Sequence, residues 1–212
     1  RKDTGRIYLQ NVDHANTHGS FKEDLAPIKQ SNLCCEIDLP TKPLSDLNDA
    51  TGEIALCTLS AINWGVFRTP EEMEKACTLA VRGLDALLSY QNYPVLAAAY
   101  ATQNRRPLGI GIINLAYWLA KNDFTYSDPS CLPELDRWAQ HWSYYLIKAS
   151  ADLATEFGAC PKSNETKYHE GILPVDTYKK EVDELVDPVD HVDWKGLRKQ
   201  LKDTGVRNST LM

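Results

Sequence analysis

The residues with the most chemistry per unit length lie in Ser31-Asn32-Leu33-Cys34-Cys35-Glu36-Ile37-Asp38. An asparagine can donate and accept hydrogen bonds, a carboxylate can take a proton, and a cysteine sulfur can act as nucleophile, redox centre or radical carrier. In an extended backbone positions i and i+2 point to one side. That spacing predicts that Asn32, Cys34 and Glu36 converge on one face while Cys35 faces the other way. The alternative is an edge strand whose polar face meets solvent, and residue types by themselves favour it.

Other motifs carry less. His14-x-x-x-His18 has the spacing of a helical metal pair, but Asp13, Asn16, Thr17 and Gly19 read as a turn and no Cys pair lies near, so no metal site is expected. Gly109-x-Gly111-x-x-Asn114 lacks the third glycine and the preceding strand of a dinucleotide loop, and reads as a place where a helix approaches its neighbour closely. Trp138, Trp142, Tyr144 and Tyr145 have the spacing of core packing rather than base stacking. The six cysteines, at 34, 35, 57, 77, 131 and 160, form no CxxC pair, which points to a reducing, cytoplasmic setting. Asn164-Glu165-Thr166 and Asn208-Ser209-Thr210 fit the glycosylation pattern by chance in such a setting.

The elements that must hold these residues divide the chain. Residues 1–67 contain short β-like runs at Arg6–Val12 and Glu53–Ile62, broken by Asn, Pro and Gly, whereas 68–205 is mainly helical in period. A helix begins near Thr69, with Pro70 at its first position and Glu72 placed for a capping box. Its apolar stripe runs Met73, Ala76, Cys77, Ala80, Val81, Leu84, Leu87, Leu88, which makes Cys77 a small buried hydrophobe. A second helix is predicted over Leu108–Lys121 and a third over Pro133–Phe157, closed by Gly158. Asp176 and Asp193 are the expected caps of shorter helices at 177–186 and 194–203, and Val206–Leu211 reads as the start of a further strand.

Composition excludes several classes. With 212 residues, 43% hydrophobic and 25% charged, the chain is neither disordered, collagenous nor a coiled coil. Its net charge of −6 and lack of a basic block argue against nucleic acid as a partner. The longest apolar stretch, around Leu108–Ala120, is too short for a membrane span. The sequence begins Arg1-Lys2-Asp3 and meets its first element at once, as expected of a piece of a longer chain.

Several segments together resemble one family. GRIYLQNVDHANTH, SNLCCEIDLPTKPL, GEIALCTLSAIN, RRPLGIGIINLAYWLAK, KASADLATEFGACP, NETKYHEGILPVDTYKK and DWKGLRKQLKDTGVRNSTL are similar, in this order, to the large catalytic subunit of the class I aerobic ribonucleoside-diphosphate reductases. The resemblance implies an α/β fold, a segment of a ten-stranded α/β barrel with the active-site loop threading its centre. Strands near 6–12, 53–60 and 206–211 would be barrel members, and the chain as a whole a partial catalytic barrel domain.

The resemblance also implies roles. Cys34 would form the thiyl radical that removes hydrogen from C3′ of the substrate ribose, Glu36 would take the 3′-hydroxyl proton, and Asn32 would hydrogen-bond the reacting sugar. Cys57 would be one thiol of the redox pair that ends as a disulfide. No cofactor would bind this segment: the radical would come from a metal-containing small subunit, and thioredoxin or glutaredoxin would restore the thiols. The partner of Cys57, the effector site, the phosphate loop, the tyrosine relay and the C-terminal cysteine tail fall outside residues 1–212, so a truncated piece, a split subunit completed by companion chains, and an inactive fragment or scaffold without turnover all stay open. The isolated chain is expected to be inactive.

Overall fold

The computed structural model describes residues 2–211. In chain order its elements are α1 (Val12–His18), β1 (Thr58–Asn63), α2 (Glu74–Tyr90), α3 (Leu96–Arg105), β2 (Leu108–Ile113), α4 (Leu115–Lys121), α5 (Leu132–Phe157), α6 (Pro174–Thr177) and α7 (Trp194–Thr204), joined by short 3₁₀ turns and loops.

The helices with clear apolar stripes form where periodicity places them. One 3₁₀ turn, Pro70–Met73, leads into α2, which buries Cys77, Val81, Leu84 and Leu88. Thr69 makes no side-chain cap, and Glu72 instead accepts the Arg68 N–H at 2.8 Å. Helix α5 packs Trp138, Leu146, Ala149 and Leu153 inward against α2 and α7 and closes at Gly158, whose φ of +86° suits a residue without Cβ. At α7, Asp193 accepts the Gly196 N–H at 2.8 Å as an N-cap. Trp118 meets Trp64 and Trp138 edge to face, and Trp64 and Trp138 are tilted to each other, with ring centroids 5.1–5.9 Å apart.

The stretch read as one helix over 108–121 is a strand followed by a helix. Ile110, Ile112 and Ile113 are β-branched, and β2 pairs in parallel with β1 from Thr58↔Leu108 to Asn63↔Ile113. Asn114, at φ +67°, then turns the chain into α4. Helices α2 and α3 make the crossover between the two parallel strands. On the other edge of β2, Leu108 and Ile110 donate to the carbonyls of Thr210 (3.0 Å) and Leu211 (2.9 Å), so the terminal segment lies beside this sheet, but residues 206–211 do not form the strand expected there.

Four further expectations are corrected. Residues 6–11 are not in a strand, and Val12–His18 is helical where a turn was predicted. Buried Asn16 explains this: it donates to the Val12 and Ile28 carbonyls and accepts the Ile28 N–H, so a turn-forming residue serves as an internal tie. The 53–62 run is a strand only from Thr58, because Glu53 is occupied by an isolated bridge to Lys42. Asp176 does not cap a helix over 177–186. It lies within the four-residue α6, accepts the Leu173 N–H at 2.8 Å and pairs with Arg198, and only a short 3₁₀ turn, Lys180–Glu184, follows.

Two buried ionic clusters tie these elements together. Arg105 pairs with Glu53 and Glu165, and Lys162 reaches Glu53 at 2.6 Å. Asp85 on α2 accepts Arg106 Nε at 2.6 Å and Asn208 Nδ2 at 3.0 Å. Among the described residues no helix is long and apolar enough to cross a membrane.

Candidate active site

The 31–38 segment is a tight turn, not an extended strand. Cys35 N–H donates to the Asn32 carbonyl at 3.1 Å, and Cys35 itself adopts φ +62°, a left-handed conformation costly for a residue with a Cβ. The i, i+2 argument therefore fails for Asn32, Cys34 and Glu36, yet the turn brings two of them together by another route. Asn32 Nδ2 donates to Glu36 Oε1 at 2.5 Å, while Asn32 Oδ1 accepts the N–H groups of Glu36 and Ile37, each at 3.1 Å. One amide side chain thus fixes both the backbone and the carboxylate of Glu36. Ser31 Oγ closes the base of the turn on the Ile37 carbonyl at 2.9 Å.

Cys34 stands in this turn, exposed, and Cys35 beside it is exposed too. The loop straddles two hollows. Glu36 and Ile37 line one of about 160 Å³ with Gly19, Ser20 and Thr210, and Cys35 lines one of about 400 Å³ with His14 and His18. Gly19 and Asp38 line both, so the two hollows adjoin. Thr210, far along the chain, is a neighbour that spacing could not reveal, since only the pairing of the terminal segment with β2 brings it here.

The loop is anchored by Leu39, which is buried with Phe21, Ala26 and Ile28, and against this small cluster pack Ile37, Ala55 and Cys57. Cys57 is half-buried just ahead of β1. Burial, reinforced by the nearby charge of Glu36, pushes its thiol pKa up to about 12. A group at that value keeps its proton throughout the neutral range. Cys77 and Cys160 are also pushed to about 12, by burial above all.

His14 and His18 do share a helix, with ring centroids 5.9 Å apart, contrary to the turn read from sequence. Among the described residues no group of three His, Cys, Asp or Glu side chains could hold a metal ion.

Comparison with known proteins places this arrangement. A family model described as ribonucleotide reductase, barrel domain, matches residues 1–212. The chain is 57% identical to the ribonucleoside-diphosphate reductase subunit alpha of Haemophilus influenzae, 58% to subunit alpha of reductase 1 of Salmonella typhimurium and 43% to that of Enterobacteria phage T4. Each alignment covers 100% of this chain and 28% of the relative, so the chain spans a little over a quarter of the length of these relatives. Matched along its whole length by the family model, this α/β segment with its paired parallel strands belongs to the ribonucleotide reductase barrel domain family.

Proposed function

We propose that this segment supplies the radical-bearing loop and one redox thiol for reduction of ribonucleoside diphosphates to deoxyribonucleoside diphosphates, within a larger catalytic subunit. The observation that carries the reading is the join between Asn32, Glu36 and Cys57: a fixed carboxylate beside a thiol that keeps its hydrogen at neutral pH.

In this scheme a thiyl on Cys34 takes the hydrogen from C3′, forming an S–H bond and a ribose radical. Glu36 accepts the 3′-hydroxyl proton as the 2′-hydroxyl leaves as water with a proton from the thiol pair, and it returns that proton to O3′ when the sugar is reduced. Cys57 and a second thiol of the subunit deliver two electrons and two hydrogens and end as a disulfide, and the C3′ hydrogen returns from Cys34, regenerating the thiyl. The sum is ribonucleotide plus two thiols giving deoxyribonucleotide, disulfide and water. Asn32 holds the Glu36 carboxylate toward the sugar, and its remaining hydrogen-bonding capacity serves the substrate hydroxyls.

A radical-generating small subunit starts the cycle, and a dithiol protein of the thioredoxin or glutaredoxin type resets the disulfide in the cytoplasm. The test is deoxynucleotide formation by the full-length subunit with its radical partner. Cys34→Ser should abolish it, because a hydroxyl does not readily give the corresponding oxygen radical, and Glu36→Gln should lower kcat by about 10²-fold or more, the usual scale for losing a general base. Turnover near the parent rate in either variant refutes the assignment.

A further inference from the structure

Strand β2 carries a glycine where propensity disfavours one. Gly109 pairs with Leu59 of β1 in the parallel register, and its φ is not in the left-handed region that glycine alone tolerates. Backbone conformation therefore gives no reason to refuse a side chain, and a glycine inside a strand loses packing and conformational entropy.

The reason lies on the face above it. A Cβ built on Gly109 would stand 2.9 Å from Cys57 Sγ, 2.5 Å from Leu59 Cδ2 and 3.4 Å from Ile37 Cδ1. Cys57 and Leu59 are two residues apart, so their side chains lie on the same face of the β1 edge, and both lean into the gap that Gly109 leaves. Ile37, the residue after Glu36, rests over the same gap. At Gly111, two residues further along the strand, a Cβ would meet nothing within 4 Å.

We propose that Gly109 is a positioning residue for the redox thiol: its missing side chain forms the slot in which Cys57 Sγ sits, and so sets the depth of that sulfur relative to the Asn32–Glu36 loop. This rests on the role given to Cys57 above. Ordinary carbon–sulfur contact needs well over 3 Å, so an alanine would drive the sulfur out of the slot by on the order of 1 Å, a displacement that at a reacting centre costs about 10²-fold in rate.

The slot also accounts for the seclusion of the thiol. The half-buried sulfur lies beside the Gly109 backbone, within the field of Glu36. Raising it from the slot would expose it and ease its ionisation.

The experiment uses the full-length subunit with its radical partner. Gly109→Ala is expected to lower kcat about 10²-fold with KM for the ribonucleotide within about twofold, and to shift the pH profile of Cys57 alkylation, read by peptide mass spectrometry, toward lower pH. Trimming the other obstruction in Gly109→Ala/Leu59→Ala should leave both effects in place. Recovery of kcat in that double variant would mean the glycine accommodates Leu59, and unchanged kcat in Gly109→Ala would mean it has no positioning role; either overturns the proposal. If Gly109→Ala does not fold, adding Cys57→Ala must restore the fold, and failure to do so likewise overturns it. Failure of the wider reading looks different: Cys57→Ser alone would then sustain deoxynucleotide formation, whatever the alkylation profile of Gly109→Ala.

Discussion

Asn32 holds Glu36 with both ends of its amide, donating to the carboxylate at 2.5 Å and accepting the Glu36 and Ile37 N–H groups at 3.1 Å. An asparagine is the only uncharged side chain of this length that can do both, since alanine offers neither group and aspartate would replace the donor with a second negative charge. The turn thus depends on one residue for carboxylate and backbone alike.

Replacing Asn32 should therefore loosen the loop without unfolding the domain. Each exposed hydrogen bond contributes about 0.5–1.5 kcal/mol, so Asn32→Ala should speed hydrogen exchange of the Glu36 and Ile37 amides by about tenfold, and Asn32→Asp, which keeps an acceptor for both amides, by less, with the amides of α5 unchanged. Equal protection in the variant and the parent would mean that the turn is held by something other than this amide.

The cysteines should separate into classes by reactivity. Cys34 and Cys35 are exposed and should be alkylated first, whereas Cys77, Cys131 and Cys160 are buried and should react only on unfolding. Cys57, with its pKa pushed to about 12, should stay slow at neutral pH and speed up steadily in alkali. Time-resolved iodoacetamide labelling with peptide mass spectrometry measures this order, and early labelling of Cys57 at neutral pH would contradict its seclusion.

Strong periodicity made α2, α5 and α7 legible in the sequence. The apolar stripe from Met73 to Leu88, and the Gly158 and Asp193 signals, are local and need no knowledge of the partner surface. Residues 108–113 misled because a continuous apolar run suits a buried helix and a parallel strand equally, and only pairing with β1 decides between them. The chemistry of the loop was visible in residue types, but its shape was not: the bond between Asn32 and Glu36 belongs to a turn with Cys35 at positive φ, which nothing in the cysteine itself announces. Gly109 reads as a helix contact from sequence because its neighbour Cys57, just ahead of β1, is far from it along the chain.

The buried cluster at Asp85 should be the most sensitive point in the frame. Its carboxylate is the shared acceptor for Arg106 and Asn208, from segments on either side of β2, and Arg106 is almost wholly enclosed. Asp85→Ala would leave that guanidinium buried and unpaired, at a cost of about 3–5 kcal/mol. Replacing exposed Glu181, which lies outside the cluster, should cost less than about 0.5 kcal/mol. Urea unfolding monitored by tryptophan fluorescence compares the two, and a loss below about 1 kcal/mol for Asp85→Ala would show that the cluster contributes little.

Acid should weaken the domain through Glu53. Burial by itself would raise this carboxyl's pKa, but the hydrogen bonds and charges of Arg105 and Lys162 outweigh it and hold the folded value below the ordinary 4.5. With the folded pKa depressed, the charged form contributes stability that is fully present above 4.5 and is lost as pH falls through the lower folded value. The urea midpoint of the parent chain should therefore decline as pH falls below 4.5. Glu53→Gln, whose carboxamide cannot titrate, should start less stable, because Arg105 and Lys162 lose a charged partner, and should decline less over the same range. Parallel pH profiles for the two chains would mean that other carboxylates carry the acid sensitivity and that Glu53 is held with no depression of its pKa.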